Sequence, residues 1–219
     1  STHCISSAAS DVYKRQAYLY VKNQVDFGPR VPNTKEHVAC GNYLAKQLKD
    51  FGAQVTDQYA DLIAYDGTLL KARNIIGSYK PDNKKRIALF AHWDTRPWAD
   101  NDPDEKNHKT PILGANDGAS GVGALLEIAR LINQQQPQLG IDIIFLDAED
   151  YGAHDQNNEA SWCLGAQYWA RNPHVQGYNA RFGILLDMVG GKNTVFLKES
   201  YSEQFAPDIN KKVLSLIHI

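Results

Sequence analysis

The chain has 219 residues, 43% of them hydrophobic, and a formal net charge of −2. That balance fits one globular α/β domain and leaves no basic surplus for a nucleic-acid partner. No apolar run is long enough to cross a bilayer, no early segment has the flanks of a signal peptide, and three scattered cysteines (Cys4, Cys40, Cys163) do not make a disulfide scaffold.

Residues 1–16 and 214–219 read as ends foreign to the domain, of the kind that translated adapter sequence leaves on a gene fragment. The domain is therefore expected over residues 17–213, truncated at its C-terminus, with His218 not a ligand. Ala17 to Phe27 predicts a short helix, closed by Gly28-Pro29-Arg30-Val31-Pro32. Asn33 or Thr34 can cap a second helix whose apolar positions Val38, Tyr43, Leu44, Leu48 and Phe51 share a face and which ends at Gly52. Gln54 to Ala60 and Ala72 to Tyr79 read as strands joined through an Asp66-Gly67 turn, and Tyr79 to Lys85 as a polar turn.

Arg86 to Ala91 is an apolar strand that ends in His92-Trp93-Asp94, and strand alternation puts His92 and Asp94 on the same side. Thr95 to Leu113 is a long polar insertion without calcium-loop spacing, read as a surface or site-rim loop. In Gly114-Ala115-Asn116-Asp117-Gly118-Ala119-Ser120-Gly121, small residues let the backbone approach whatever Asp117 binds. From Ser120 the pattern turns helical through Val122, Leu125, Leu126, Ile128, Ala129 and Ile132; the glycine spacing matches neither a dinucleotide fingerprint nor a Walker loop.

Ile141 to Leu146 is an apolar run that passes into Asp147-Ala148-Glu149-Asp150. A buried strand delivering two adjacent acids to a sheet edge implies a cation or proton shared between them, because like charges repel and desolvation is costly. Tyr151 to Ala160 is a polar loop, and Ser161 to Arg171 a helix or lid segment carrying Trp162. Phe182 to Leu186 predicts a third buried strand ending at Asp187, Thr194 to Lys198 one more, and Glu203 to Val213 a helix.

Strands separated by helices predict a three-layer α/β/α fold around a central, largely parallel, mixed sheet, with the acids converging at the strands' carboxyl ends. Imidazole with carboxylates suits zinc, but His92, Asp94, Asp117, Glu149, Asp150 and Asp187 cannot all ligate one tetrahedral ion. Some must serve a second metal, the orientation of the ligands, or the substrate. The plainer alternatives are a core histidine at His92, a turn cap at Asp147, and packing at Trp93, Trp98 and Trp162. Asp117, Glu149 and Asp150 are harder to explain as scaffold, since unpaired buried carboxylates are expensive.

The ordered set His92-x-Asp94, Gly114 to Gly121, Asp147-Ala148-Glu149-Asp150 and Leu186-Asp187-Met188-Val189-Gly190 resembles the zinc aminopeptidase-like family, most nearly its bacterial glutaminyl-peptide cyclotransferases. The likeness covers about Ala17 to Val213 and includes the segments His92 to Trp98 and Ser161 to Gly165. It implies that Asp117 and Asp150 are zinc ligands, that Glu149 is the general acid/base, and that Asp187 and Trp162 bind the substrate's first residue. His92 and Asp94 would orient ligands or hold a second metal. The family's third zinc ligand is a downstream histidine that this chain lacks, so the fragment itself is expected to be inactive. One zinc is implied for a cyclase that converts N-terminal glutamine to pyroglutamate. Two are implied for an aminopeptidase, with His92 and Asp187 helping to hold the second across Asp117. A homologue that binds peptide N-termini without turning them over is the third possibility. The resemblance further implies a monomer acting on peptide or protein N-termini in a periplasmic, envelope-anchored or secreted setting.

Overall fold

Seven consecutive buried residues, Gly140–Leu146, form the central strand of a five-stranded sheet. The computed structural model describes residues 2–154 and 158–217, with side chains over 12–154 and 158–216. Its elements are α1 (Thr2–Val25), α2 (Lys35–Asp50), β1 (Gln54–Ile63), β2 (Leu69–Tyr79), β3 (Arg86–His92), α3 (Ala119–Gln134), β4 (Gly140–Leu146), α4 (Leu164–Arg171), β5 (Gly183–Leu185), α5 (Ser200–Phe205) and α6 (Pro207–Ile217).

The strand order is β1-β2-β4-β3-β5. Parallel pairing joins β4 to β3 and β3 to β5, while β1 and β2 pair antiparallel with each other and β2 antiparallel with β4. The sheet is thus mixed, and its parallel half is the part that carries the site. Alternation along β4 makes the layers: Ile141, Ile143 and Phe145 pack with Leu44 and Leu48 of α2 and Val122, Leu125 and Leu126 of α3. Ile144 and Leu146 meet Ala166 and Trp169 of α4 on the other face.

Thr34 caps α2 by accepting from the His37 amide at 3.2 Å. The inner face of α2 is His37, Cys40, Gly41, Leu44 and Leu48 at helical spacing, which turns Val38 outward to 56% exposure against the sequence expectation. Helix α1 begins well before Ala17, and both strands of the hairpin are longer than expected, closed by the Thr68 amide donating to Asp66 Oδ1 at 2.9 Å.

The expectations fail most clearly near the C-terminal end. Strand β5 is a three-residue edge with Leu185 61% exposed, not a buried strand. Residues 194–198 form no strand, and Val195 and Leu197 are exposed, because β-branched residues extend stably only beside a pairing neighbour. The single helix expected over 203–213 is two helices broken before Pro207, the first capped by Glu199, which accepts from the Tyr201 and Ser202 amides. Part of the Tyr151–Ala160 loop and His218 lie outside the described residues. Among the described residues no helix is long and apolar enough to cross a membrane.

Candidate metal centre and active site

Strand β3 ends at His92, and the Trp93 amide extends its ladder by donating to Leu146 O at 3.0 Å. Trp93 is wholly buried, stacked on His37 at 4.2 Å with its indole N–H donating to Arg73 O, so it anchors the strand's exit and leaves Asp94 facing the site. Asp94 is itself fully buried, and both oxygens are occupied: Oδ1 accepts from the Glu149 amide and Oδ2 from the Asp150 amide, each at 3.1 Å. This carboxylate clamps the turn that presents the acid pair.

Ala148, the pivot of that turn, has φ 51°, a left-handed conformation costly for a residue with a β-carbon. The turn sends Asp147 inward, where it meets His37 Nε2 at 2.9 Å and accepts from the Arg73 and Ala148 amides at 2.6 and 2.7 Å. Asp147 is scaffold, whereas Asp150 lines the site's cavity and Glu149 Oε2 approaches His92 Nδ1.

Asp117 comes from the turn before α3. The buried Arg30 guanidinium donates to the carbonyls of Leu113 and Gly114 and pins the start of that turn. Gly118 has φ 80°, and a Cβ there would lie 2.9 Å from Asp94 O and 3.2 Å from His92 Cε1, so only glycine lets the turn close against both. Further on, Ser120 Oγ accepts from the Val189 amide at 3.0 Å and Asn116 Oδ1 from the Gly190 amide at 2.9 Å. The same turn therefore braces the segment that follows Asp187.

These elements bring the expected residues together. His92 Nε2 lies 2.9 Å from Asp117 Oδ1 and 3.5 Å from Asp187 Oδ1, and Nδ1 lies 3.5 Å from Asp94 Oδ1 and 3.8 Å from Glu149 Oε2. His92, Asp117 and Asp150 each offer one ligand atom, all within 4.8 Å of one another. Despite burial, neither ring nitrogen of His92 is aligned for a hydrogen bond, and Asp150 Oδ2 has no partner. Buried polar atoms are normally paired, so His92 and Asp150 have donor capacity to spare, and with the half-buried Asp117 beside them they form a group that a divalent cation would complete; imidazole with two carboxylates fits zinc.

The electrostatics agree. Burial, reinforced by Asp94 and Asp117, pushes Asp150 up to about 8, and burial likewise raises Glu149. Burial alone would lower His92, but Asp117, Asp187 and Asp94 outweigh it and hold the imidazole well above its ordinary value. The nearby His92 keeps Asp187 below the usual carboxylate range, with its side chain 44% exposed.

The cluster opens on a cavity of about 640 Å³ lined by Arg96, Asn101, Asp117, Asp150, His154 and Trp162, among others. Trp162 is fixed as a wall by its indole N–H donating to Ala153 O at 3.0 Å. Arg96, to which the sequence assigned no role, sits 4.8 Å from the Trp162 ring centre, pairs with Asp100, and donates to the carbonyls of Asp150 and Gly152 at 2.9 and 3.1 Å. Arg30, His37 and Cys163 were missed as well. Their partners lie far off in the sequence, and the one available signal was Arg96-Pro97-Trp98 directly after the His92-x-Asp94 motif.

Residues 74–218 match the model of peptidase family M28. The chain is similar to the crystal structure of Bacteroides thetaiotaomicron glutaminyl cyclase bound to N-acetylhistamine, with 84% identity and a TM-score of 0.89 over 91% of this chain and 70% of that one. It is also similar to a Zn-dependent exopeptidase from Parabacteroides distasonis, with 62% identity and a TM-score of 0.90 over 92% and 70% of the two chains. A curated relative, glutaminyl-peptide cyclotransferase of Drosophila melanogaster, is 25% identical over 188 residues, which is 81% of this chain and 50% of that protein. The chain spans about a third to a half of the length of the curated relatives it matches.

Proposed function

Because the chain belongs to peptidase family M28, we propose that the full-length protein is a zinc-dependent glutaminyl-peptide cyclotransferase, converting N-terminal glutamine to pyroglutamate with release of ammonia. The observation that carries this reading is Glu149, raised by burial, with Oε2 3.8 Å from His92, beside a group of His92, Asp117 and Asp150 in which both ring nitrogens of His92 and one oxygen of Asp150 have no hydrogen-bond partner. The similarity to the Bacteroides thetaiotaomicron glutaminyl cyclase points the same way.

Asp117 and Asp150 would hold the metal, together with the downstream histidine that the family resemblance implies. When bound, zinc supplies a Lewis acid that polarises the γ-amide carbonyl of the glutamine. Asp187 offers its charge to the substrate's α-amino group, and the Trp162 ring walls the space for the side-chain methylenes. Glu149 takes a proton from the amine as its nitrogen bonds to the amide carbon, and returns a proton to the departing ammonia. The amide C–N bond breaks as the ring closes, and no water is consumed.

A second reading is favoured by one distance set. Asp187 and Asp117 both approach His92 Nε2, at 3.5 and 2.9 Å, an arrangement that could take a second cation and serve an aminopeptidase. Glu149 would then take a proton from a water attacking the first peptide bond. The two are separated by offering the full-length protein Gln-initiated and Leu-initiated peptides. Ammonia and pyroglutamate from the first, with one zinc per chain, support the cyclase, whereas free leucine from the second, with two, supports the peptidase. Glu149→Gln should lower kcat by about 10²- to 10⁴-fold and leave peptide affinity intact. A wild type that binds peptides without turnover would instead be a binding-only homologue. By resemblance the full-length protein belongs to the bacterial envelope or is exported, which fractionation of the source cells would test.

A further inference from the structure

Three successive amides at the entry to α4 donate to the turn that carries the acids: Cys163 to Glu149 O, Leu164 to Ala148 O and Gly165 to Asp147 O, each at 3.0 Å. A Cβ on Gly165 would lie 2.1 Å from Asp147 O, so the third bond needs a glycine. Cys163 holds φ 57°, again left-handed and strained for a residue with a side chain. That twist turns its thiol back onto the same turn, and Sγ donates to Glu149 Oε1 at 3.3 Å. The other oxygen, Oε2, faces His92 Nδ1 at 3.8 Å. Burial, with Glu149 adding to it, pushes the thiol up to about 12, so at neutral pH it is an uncharged S–H donor and not a nucleophile.

We propose that Cys163 is a positioning residue: its S–H holds Oε1 of Glu149 so that Oε2 is the oxygen presented to the substrate's α-amine. This rests on the reading of Glu149 as the acid/base. The amide ladder fixes the backbone of Glu149 but leaves its side-chain torsions free, and a carboxylate that hops between rotamers spends less time in line with the amine. The thiol supplies the missing restraint. Substrate capture by Asp187 and Trp162 does not pass through it.

The test uses the full-length, zinc-loaded protein. Cys163→Ala should lower kcat about tenfold, the low end for losing a donor to a charged group, with KM nearly unchanged. Cys163→Ser, whose hydroxyl can reach the same oxygen, should retain most of the rate, with zinc content and melting temperature showing that both variants are folded. Equal loss in Ser and Ala, or no loss in Ala, overturns the proposal. A second arm needs no turnover: the S–H infrared stretch, isolated by subtracting Cys163→Ala, should sit at lower frequency than a free thiol and move back in Glu149→Leu. A band that ignores Glu149 overturns the proposal, whereas a wild type that neither cyclises nor cleaves peptides sinks the functional reading alone, and the band still decides whether the thiol holds Glu149.

Discussion

Strand β4 has a buried carboxylate near its start and another just past its end, and the two have opposite fates. Asp142 is wholly buried and saturated: Arg86 donates through Nε at 2.6 Å and Nη2 at 2.8 Å, Ser78 Oγ at 2.7 Å and Tyr178 OH at 2.7 Å. Burial alone would raise it, yet those donors hold it below the usual carboxylate range. Asp150, 5% exposed, has an oxygen with no partner, lies near Asp94 and Asp117, and is raised. A carboxylate matched by a guanidinium is finished structure, whereas crowded carboxylates with spare oxygens await a cation. The contrast separates scaffold from site without reference to any relative.

Breaking the finished end should do the greatest harm. Arg86→Ala leaves Asp142 buried and without its cation, and the full-length protein should lose about 3–5 kcal/mol in denaturant titration. A loss below about 1 kcal/mol would mean that water reaches Asp142. Next comes completion of the unfinished end. Zinc at about 100 times its Kd should stabilise the wild type by about 2.7 kcal/mol, read as a rise in melting temperature that a chelator reverses and Asp150→Asn diminishes. In the metal-free protein, Asp150→Asn should not destabilise, because a carboxyl pushed up to about 8 is already largely uncharged at neutral pH and a neutral amide of the same size replaces it. A loss comparable to that of Arg86→Ala would erase the distinction between the two ends.

What was legible in the sequence follows the same division. Strands β3 and β4 and helix α3 could be read because continuous apolar runs and 3.6-residue periodicity are local signals. Asp117, Glu149, Asp150 and Asp187 stood out because each follows a break in such a pattern. Asp142 did not, since it is embedded in the run Ile141-Asp142-Ile143-Ile144. Its role depends on sheet register, which sets Ser78 of β2 and Ala88 of β3 opposite it. Arg96 and Cys163 were hidden for the same reason, each acting on a turn more than a helix away along the chain. Strand β5 misled in the other direction: its composition suits a buried strand, but among the described residues nothing pairs with its outer edge.

Smaller effects sharpen the comparison. Asp142 has a depressed pKa in the folded state, so its contribution is present above the unfolded carboxylate value and is lost as pH falls through the folded one. Between about pH 7 and pH 3 the denaturation midpoint of the wild type should therefore fall more steeply than that of Arg86→Ala, in which Asp142 has less to lose. Parallel slopes would show that Arg86 does not set the titration of Asp142. The mildest change is Ser78→Ala, which removes one of four donors from a carboxylate that keeps its guanidinium. It should cost about 1 kcal/mol and leave zinc binding untouched, because the serine sits beside the start of β4 and the candidate metal ligands lie beyond the other end of the sheet's parallel strands. If Ser78→Ala altered zinc affinity, the two ends of β4 would be coupled through the strand, and the finished end could no longer be treated as independent of the site it supports.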